Sequence, residues 1–254
     1  MALLEVKGLT KRFGGLTAVK RLDFHLDEGE ILGMIGPNGA GKTTVFNLIT
    51  GIYPPDGGEI RLNGQSLLGL RPHVITELGI ARTFQNIRLF ANITALENVM
   101  AGQHCRTRAG VLGAIFRLRS QRLEEQRILR EAERCLRFLG LYEKRHELAK
   151  NLPYGDQRRL EIARALATGP QLLILDEPTA GMSEKESSEL MDIISQVRDS
   201  GVTILLIEHD MKVVMGISDR IIALDNGEKI AEGRPAEVQR NQRVIEAYLG
   251  KEEV

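Results

Sequence analysis

The sequence predicts an α/β fold: a core built on a mixed, mostly parallel sheet, an antiparallel β subdomain beside it, and a helical subdomain inserted into the chain. Three observations predict it. Gly36-Pro37-Asn38-Gly39-Ala40-Gly41-Lys42-Thr43, followed by Thr44, fits G-x-x-x-x-G-K-[ST], the P-loop, between a strand-like and a helix-like run. Leu172-Leu173-Ile174-Leu175 is continuously apolar, as a central parallel strand is, and 202–207 reads as a second apolar strand. From about Asn92 the chain loses β-rich runs and becomes densely charged at helical spacing. The expected division is an NTPase core over residues 1–91 and 153–254, with a helical insert over 92–152.

Each residue type in the P-loop has a physical task. Gly36, Gly39 and Gly41 admit backbone conformations that a Cβ blocks, so amides can crowd around an anion. Lys42 offers a compact cation to the β- and γ-phosphates, and Thr43 a hydroxyl to Mg²⁺. Glu30-Ile31-Leu32-Gly33-Met34-Ile35 reads as a buried strand entering the loop. Thr44-Val45-Phe46-Asn47-Leu48-Ile49 reads as a helix leaving it, so phosphate would lie at a helix N-terminus.

The whole chain bounds these readings. Its 254 residues suffice for one large domain or two subdomains around a sizeable core. The 34 basic and 34 acidic residues cancel, so a global basic field for nucleic acid is absent. Cys105 and Cys135 have neither a CxxC pattern nor a histidine cluster beside them, and idle thiols in a reducing compartment are expected. The N-terminus begins on strand-like residues without a signal peptide, and no apolar run is long enough to cross a bilayer. A cytoplasmic chain is expected, with any membrane role running through partners.

Taken in order, residues 3–7 alternate as a half-exposed strand does. Phe13 follows, beside Gly14 and Gly15; on position alone it packs on the core, although it could stack on adenine. Residues 22–26 alternate again, placing His25 toward solvent, and Asp27-Glu28-Gly29 turns the chain into the P-loop strand. Residues 51–58 are dense in turn formers, 59–62 read as a short strand and Asn63-Gly64 as a tight turn. Residues 74–78 look helical, Gly79 ends them, and a strand over 80–84 delivers Gln85. In the insert, Ile128, Ala132, Cys135, Leu136 and Leu139 recur at helical spacing. Arg117, Arg119, Arg122, Arg127, Arg130 and Arg134 alternate with glutamates around a solvated face. A helix over 158–168 stops at Gly169-Pro170. Residues 184–199 form an amphipathic helix, 219–224 a short strand and 235–249 a helical tail.

The apolar run 172–175 ends in Asp176-Glu177-Pro178. Beside a P-loop this is machinery for nucleotide hydrolysis: Asp176 can hold Mg²⁺ through its water shell. Glu177 can orient and deprotonate the attacking water. Gln85 could ligate Mg²⁺ through its amide oxygen. His209 ends the run 202–207 and would emerge on the same sheet edge, within reach of the γ-phosphate or the water.

The order of Phe13, residues 36–44, Gln85, residues 152–157, Leu172 to Glu177, and His209 resembles the ATP-binding subunits of ABC transporters over nearly the whole chain. The resemblance implies two such subunits in a head-to-tail sandwich around two ATPs with Mg²⁺, and adenine stacking for Phe13. It also implies integral-membrane partners, one of which docks a short helix in a groove near Gln85, Ile87, Leu89 and Phe90. Arg82-Thr83-Phe84-Gln85-Asn86-Ile87-Arg88-Leu89-Phe90, Arg158-Arg159-Leu160-Glu161-Ile162-Ala163-Arg164 and Glu246-Ala247-Tyr248-Leu249-Gly250 resemble the branched-chain (hydrophobic) amino-acid importer ATPases. The long insert points to the larger of that system's two ATPase subunits. An external solute-binding protein is then an indirect partner, the inner face of the cell membrane the expected location, and nucleic acid not a partner.

The chain departs from the family pattern at the signature, usually Leu-Ser-Gly-Gly-Gln, which contacts the ATP of the opposite subunit. Pro153 replaces its Ser, Tyr154 its first Gly and Asp156 its Gln, while Gly155 is kept. Pro153, expected in the first helical turn, has neither hydroxyl nor N–H, and Asp156 adds negative charge where a phosphate must dock. A heterodimer with a partner bearing a Ser-type signature is therefore favoured over a homodimer. Ser183 stands where Asp often follows the catalytic carboxylate. The rival readings are a soluble ATPase of this type acting on nucleic acid or ribosomes, the ATPase of another ABC transporter such as a lipid exporter, and a regulator that binds nucleotide without hydrolysis. The single ATPase unit, the balanced charge, and intact Glu177 and His209 argue against the first and last.

Overall fold

The computed structural model describes residues 1–103 and 119–249. Cys105, Arg117 and Gly250 lie outside the described residues, as do the side chains of Arg119 and Arg122. Two sheets organise the chain. The first is antiparallel, in the order β2 (Leu16–Asp27), β1 (Ala2–Phe13), β4 (Gly57–Leu62), β5 (Gln65–Ser66). The second has the order β10 (Glu228–Gly233), β9 (Arg220–Asp225), β3 (Ile31–Ile35), β8 (Thr203–Ile207), β7 (Leu172–Asp176), β6 (Ile80–Arg82). Its pairs are parallel except β10 with β9, so the sheet is mixed and mostly parallel.

The strands β3, β7 and β8 are buried at every position, as their largely apolar composition requires; Thr203 and Asp176 are the polar exceptions, at strand ends. Their alternate residues serve two cores. Leu32, Met34, Ile174, Leu205 and Ile207 face helix α1 (Lys42–Ile49) and the antiparallel sheet. Ile31, Leu173, Leu175, Ile204 and Leu206 face a helical layer. After a short α2 (Pro72–Glu77), that layer contains α3 (Ala95–Gly102), α4 (Arg119–Phe138), α5 (Tyr154–Leu166) and α6 (Glu184–Asp199). Of the stripe read from spacing, Ala132, Cys135, Leu136 and Leu139 are buried there, whereas Ile128 is half-buried. Burial pushes the Cys135 thiol up to about 12, which agrees with an idle cysteine. His25 is solvent-facing.

Local sequence explains the ends of these elements. Thr94 and Ser183 each cap a helix and accept from the N–H three residues on, with Glu97 and Glu186 reaching back in return. Asp210 caps α7 (Met211–Ile217), a helix not anticipated from the sequence, as β10 was not. The predicted strand 80–84 ends at Arg82. The tail is helical as expected and consists of two helices, α8 (Pro235–Gln239) and α9 (Gln242–Leu249). Asn241 breaks it: its side chain accepts from the Arg243 N–H, competing with the backbone ladder.

Leu136→Ala should lower unfolding free energy by ~2–5 kcal/mol in a urea titration, because a fully buried side chain leaves a cavity. Leu123→Ala, on the exposed side of α4, should stay within about 0.5 kcal/mol of the parent.

Candidate functional site

The site lies where β3, β7 and β8 end. β3 runs into Gly36, whose φ is 150° and whose added Cβ would lie 2.2 Å from the Leu224 carbonyl oxygen. Gly41 has φ 104°, and a Cβ there would meet the Ala18 carbonyl oxygen at 2.5 Å. At both positions only glycine fits the close backbone approach. Lys42 is buried and curls back across the loop, donating from Nζ to the carbonyls of Gly36 (2.6 Å) and Pro37 (3.1 Å). Burial holds its ammonium below the usual lysine range, while the carboxylates of Glu177 and Asp176 oppose that shift. Thr43 is exposed and Thr44 half-buried on the first turn of α1; Asn38 and Gly39 are exposed and Ala40 buried.

Glu177 follows the last residue of β7 and has φ 49°, a left-handed conformation that costs a non-glycine residue of order 1–3 kcal/mol. Its N–H donates to the Ile207 carbonyl at 2.9 Å, which fixes it against β8. The turn aims its carboxylate between two partners. Oε1 is 2.5 Å from His209 Nε2, and Oε2 accepts from Gln85 Nε2 at 2.7 Å. A cavity of about 230 Å³ is lined by Asn38, Gly39, Ala40, Gly41, Lys42, Thr43, Gln85, Glu177 and His209. Nine residues from four separate stretches thus face one space. The arrangement offers backbone amides and a cation for phosphates, and a carboxylate held by an imidazole for a proton.

Asp176 is buried and does not line that cavity. Its Oδ2 accepts from Arg82 at 2.8 Å, and the same guanidinium donates to Asn47 Oδ1 at 2.7 Å. Arg82 therefore ties α1, β6 and β7 together. The sequence reading passed over it, although an arginine ending a strand beside Asp176 needed a buried acceptor. Glu208 was missed in the same way. It is buried, and its Oε1 accepts from the Thr179 N–H (2.8 Å) and Oγ1 (2.7 Å), locking the turn after Glu177 to the end of β8. Burial raises its pKa above the ordinary glutamate value.

The donor set suits Mg²⁺, which prefers oxygen ligands, retained waters and substrate phosphates to an all-protein cage. Gln85 turns its NH₂ to Glu177, which leaves its amide oxygen as an acceptor. Thr43 offers an exposed hydroxyl and Asp176 a second carboxylate oxygen. Among the described residues, no three His, Cys, Asp or Glu side chains gather as a self-sufficient metal site.

Phe13 does not line the cavity. It ends β1, is 43% exposed, and meets Tyr53 edge-on at 5.4 Å with Lys11 Nζ 5.4 Å from its ring. Its hairpin borders the loop through the Ala18 backbone at Gly41. Exposure leaves ring surface available for stacking, contrary to the core packing expected from position alone.

The signature stretch is also away from this cavity. Pro153 is the N-cap of α5 rather than part of its first turn. Tyr154 is exposed and accepts from Arg158 at 3.2 Å; Gly155 is buried. The charge expected at Asp156 is not uncompensated, because Lys144 pairs with it at 2.5 Å. Ser183 serves as the α6 cap.

A larger cavity, of about 690 Å³, opens between the loop after β6 and the helical layer. Phe84, Arg88, Leu89, Phe90 and Arg164 line it; Ile87, expected there, does not. Buried Arg158 anchors this loop, donating to the carbonyls of Phe84 (2.7 Å) and Gln85 (2.8 Å) beside its ion pair with Glu161.

Residues 19–180 match the ABC transporter family model, and residues 228–254 match the model for branched-chain amino acid ATP-binding cassette transporters. The high-affinity branched-chain amino acid transport ATP-binding protein LivG of Escherichia coli K12 is 48% identical over 250 residues, covering 98% of each chain. The crystal structure of a nucleotide-free ATP-binding cassette from an ABC transporter superposes with a TM-score of 0.86 at 30% identity, over 99% of this chain and 100% of that one. A dimeric cassette in a post-hydrolysis state, bound to ADP and Pi, superposes at 0.77 with 27% identity, over 91% and 98% of the respective chains.

Glu208→Gln keeps an acceptor toward Thr179 and removes a buried titration. A raised folded pKa means stability that is present below about 4.5 and lost as pH rises through the raised value. Urea unfolding at several pH values should therefore show the variant gaining on the parent as pH rises through that window, with the difference constant above it.

Proposed function

The chain belongs to the family of ABC transporter ATP-binding proteins, and from that premise we propose that it is the ATP-hydrolysing subunit of an importer for branched-chain and other hydrophobic amino acids. The observation that carries this reading is the end-to-end 48% identity with LivG. The subfamily match at residues 228–254 supports it independently, since that segment lies beyond the shared cassette motifs.

In this reading residues 1–91 and 153–254 form the nucleotide-binding core and residues 92–152 the helical insert. The backbone of residues 36–44 and the Lys42 ammonium hold the ATP phosphates, and Lys42 exchanges its carbonyl partners for phosphate oxygens. Phe13 stacks on adenine. When bound, Mg²⁺ would neutralise phosphate charge; Thr43 and Gln85 would hold it, with Asp176 acting through its water shell. Glu177 takes the proton of the attacking water, and the strained turn at this residue fixes where its carboxylate points. His209 holds that carboxylate and donates toward the γ-phosphate. Gln85 joins the site to the groove lined by Leu89 and Phe90, so an event at the γ-phosphate reaches the surface that receives the membrane subunit.

The working unit is a dimer of ATPase subunits on integral-membrane partners at the inner face of the cell membrane, served from outside by a solute-binding protein. None of the described helices is long and apolar enough to cross a membrane, so attachment runs through those partners. Pro153 offers no hydroxyl to the opposite ATP, and Tyr154, Gly155 and Asp156 are left to make that contact. We therefore favour a heterodimer in which the partner brings a Ser-type signature.

Two substitutions test this in proteoliposomes containing the membrane subunits and both ATPases. Glu177→Gln should retain ATP binding while turnover at this chain's site falls ~10²-fold or more, the scale of a lost general base. Turnover at the parent rate places the base elsewhere. Phe90→Asp should leave nucleotide binding intact and uncouple ATP use from leucine uptake; normal leucine uptake would remove Phe90 from the docking surface.

A further inference from the structure

The Gly36 peptide is gripped on both sides. Its carbonyl accepts from Lys42 Nζ at 2.6 Å, and its N–H donates to the Tyr248 hydroxyl at 2.8 Å. Tyr248 comes from the second tail helix, 212 residues away in sequence. That helix is seated by Val244, which packs with Ile35, Val214, Ile221, Ala223 and Val238. Ile35 is the residue before Gly36, so the tail meets the loop entrance with an apolar contact and a polar one. Gly36 has no freedom on its other flank, where the Leu224 carbonyl fills the space of a Cβ. Tyr248 itself is 38% exposed. Solvent can reach its side chain, so full burial does not dictate where its hydroxyl points.

We propose that Tyr248 is a positioning residue for the nucleotide site. It fixes the Gly36 peptide, and through the Gly36 carbonyl it sets the resting place of Lys42. The tail helix is thereby coupled to occupancy of the loop. Coupling of this kind is reciprocal: if docking of the tail tightens nucleotide binding, nucleotide must tighten docking of the tail. The inference rests on the nucleotide reading above and adds the tail, to which that reading gives no role at the nucleotide site.

Tyr248→Phe keeps the ring and removes the hydroxyl. In the full-length purified chain, calorimetry should give MgATP and MgADP dissociation constants about three- to tenfold weaker than the parent, the scale of one net hydrogen bond. The melting temperature without nucleotide should change little, and nucleotide-induced stabilisation should shrink. Hydrogen exchange should show MgADP protecting the 242–249 peptide in the parent and protecting it much less in the variant. Parental affinities in the variant, with a lower melting temperature alone, would reduce Tyr248 to a staple for the tail and overturn the proposal. Exchange in 242–249 that ignores MgADP in the parent would also overturn it. Lys42→Ala separates the two levels. If the parent binds MgATP and Lys42→Ala does not, a null result at Tyr248 falls on this inference alone. If parent and Lys42→Ala are equally unable to bind, the nucleotide reading fails first.

Discussion

Parallel pairing of β3, β8 and β7 is the constraint on which the site depends. Met34 and Asp176 both pair with Ile207, so the three strands end at one level. Gly36, Glu177 and His209 each follow one of those ends by one or two residues, and are neighbours in space because the strands are in register. A parallel sheet is held by side chains on both faces, which is why, past Thr203 at the start of β8, these strands carry no polar side chain until Asp176 at the end of β7. The same hydrophobic continuity that makes the strands central therefore decides where charge first becomes affordable, which is at their C-terminal edge.

Around that edge the chain spends stability on orientation. Glu177 occupies a left-handed conformation, Lys42 and Glu208 are ionisable groups shifted by burial, and Asp176 is buried against Arg82. None of these is the arrangement an apolar core of equal volume would choose. Each is held by partners from a different element. Arg82 joins three elements, Glu208 joins two strand ends, and Arg158 joins the signature helix to the backbone of Gln85. Phe84 and Gln85 consequently sit between the Glu177 carboxylate and the open groove on the far side of the loop, with little backbone freedom of their own.

What was legible in the sequence was whatever local chemistry dictates. The apolar runs at 172–175 and 202–207 could only be buried strands. The glycine spacing at 36–41 could only serve a crowded backbone. The stripe from Ala132 to Leu139 could only face a core. What was not legible depends on tertiary partners. Arg82 and Glu208 look like ordinary charges until Asp176 and Thr179 are opposite them. Asp156 looks like an intruding charge until Lys144, in the preceding connection, is seen beside it. Ile87 was placed in the groove with its apolar neighbours, but alternation of a loop cannot be read from composition. The tail was legible as helical, but its division at Asn241 rests on a side-chain bond to the Arg243 N–H that local pattern does not reveal. Phe13 was placed inward on position and is half in solvent, since a hairpin tip has no core to offer.

The Lys144–Asp156 pair also bears on modular exchange between cassettes. The two residues lie on opposite sides of the start of α5, so a transplanted signature brings only one of them. A graft that installs a neutral residue at 156 leaves the Lys144 ammonium, 41% exposed, to solvent, whereas a graft of this loop into another scaffold leaves the Asp156 carboxylate, 18% exposed, without its cation. The transferable unit is thus not the five-residue motif but the connection from 144 through 156 as one electrostatic piece.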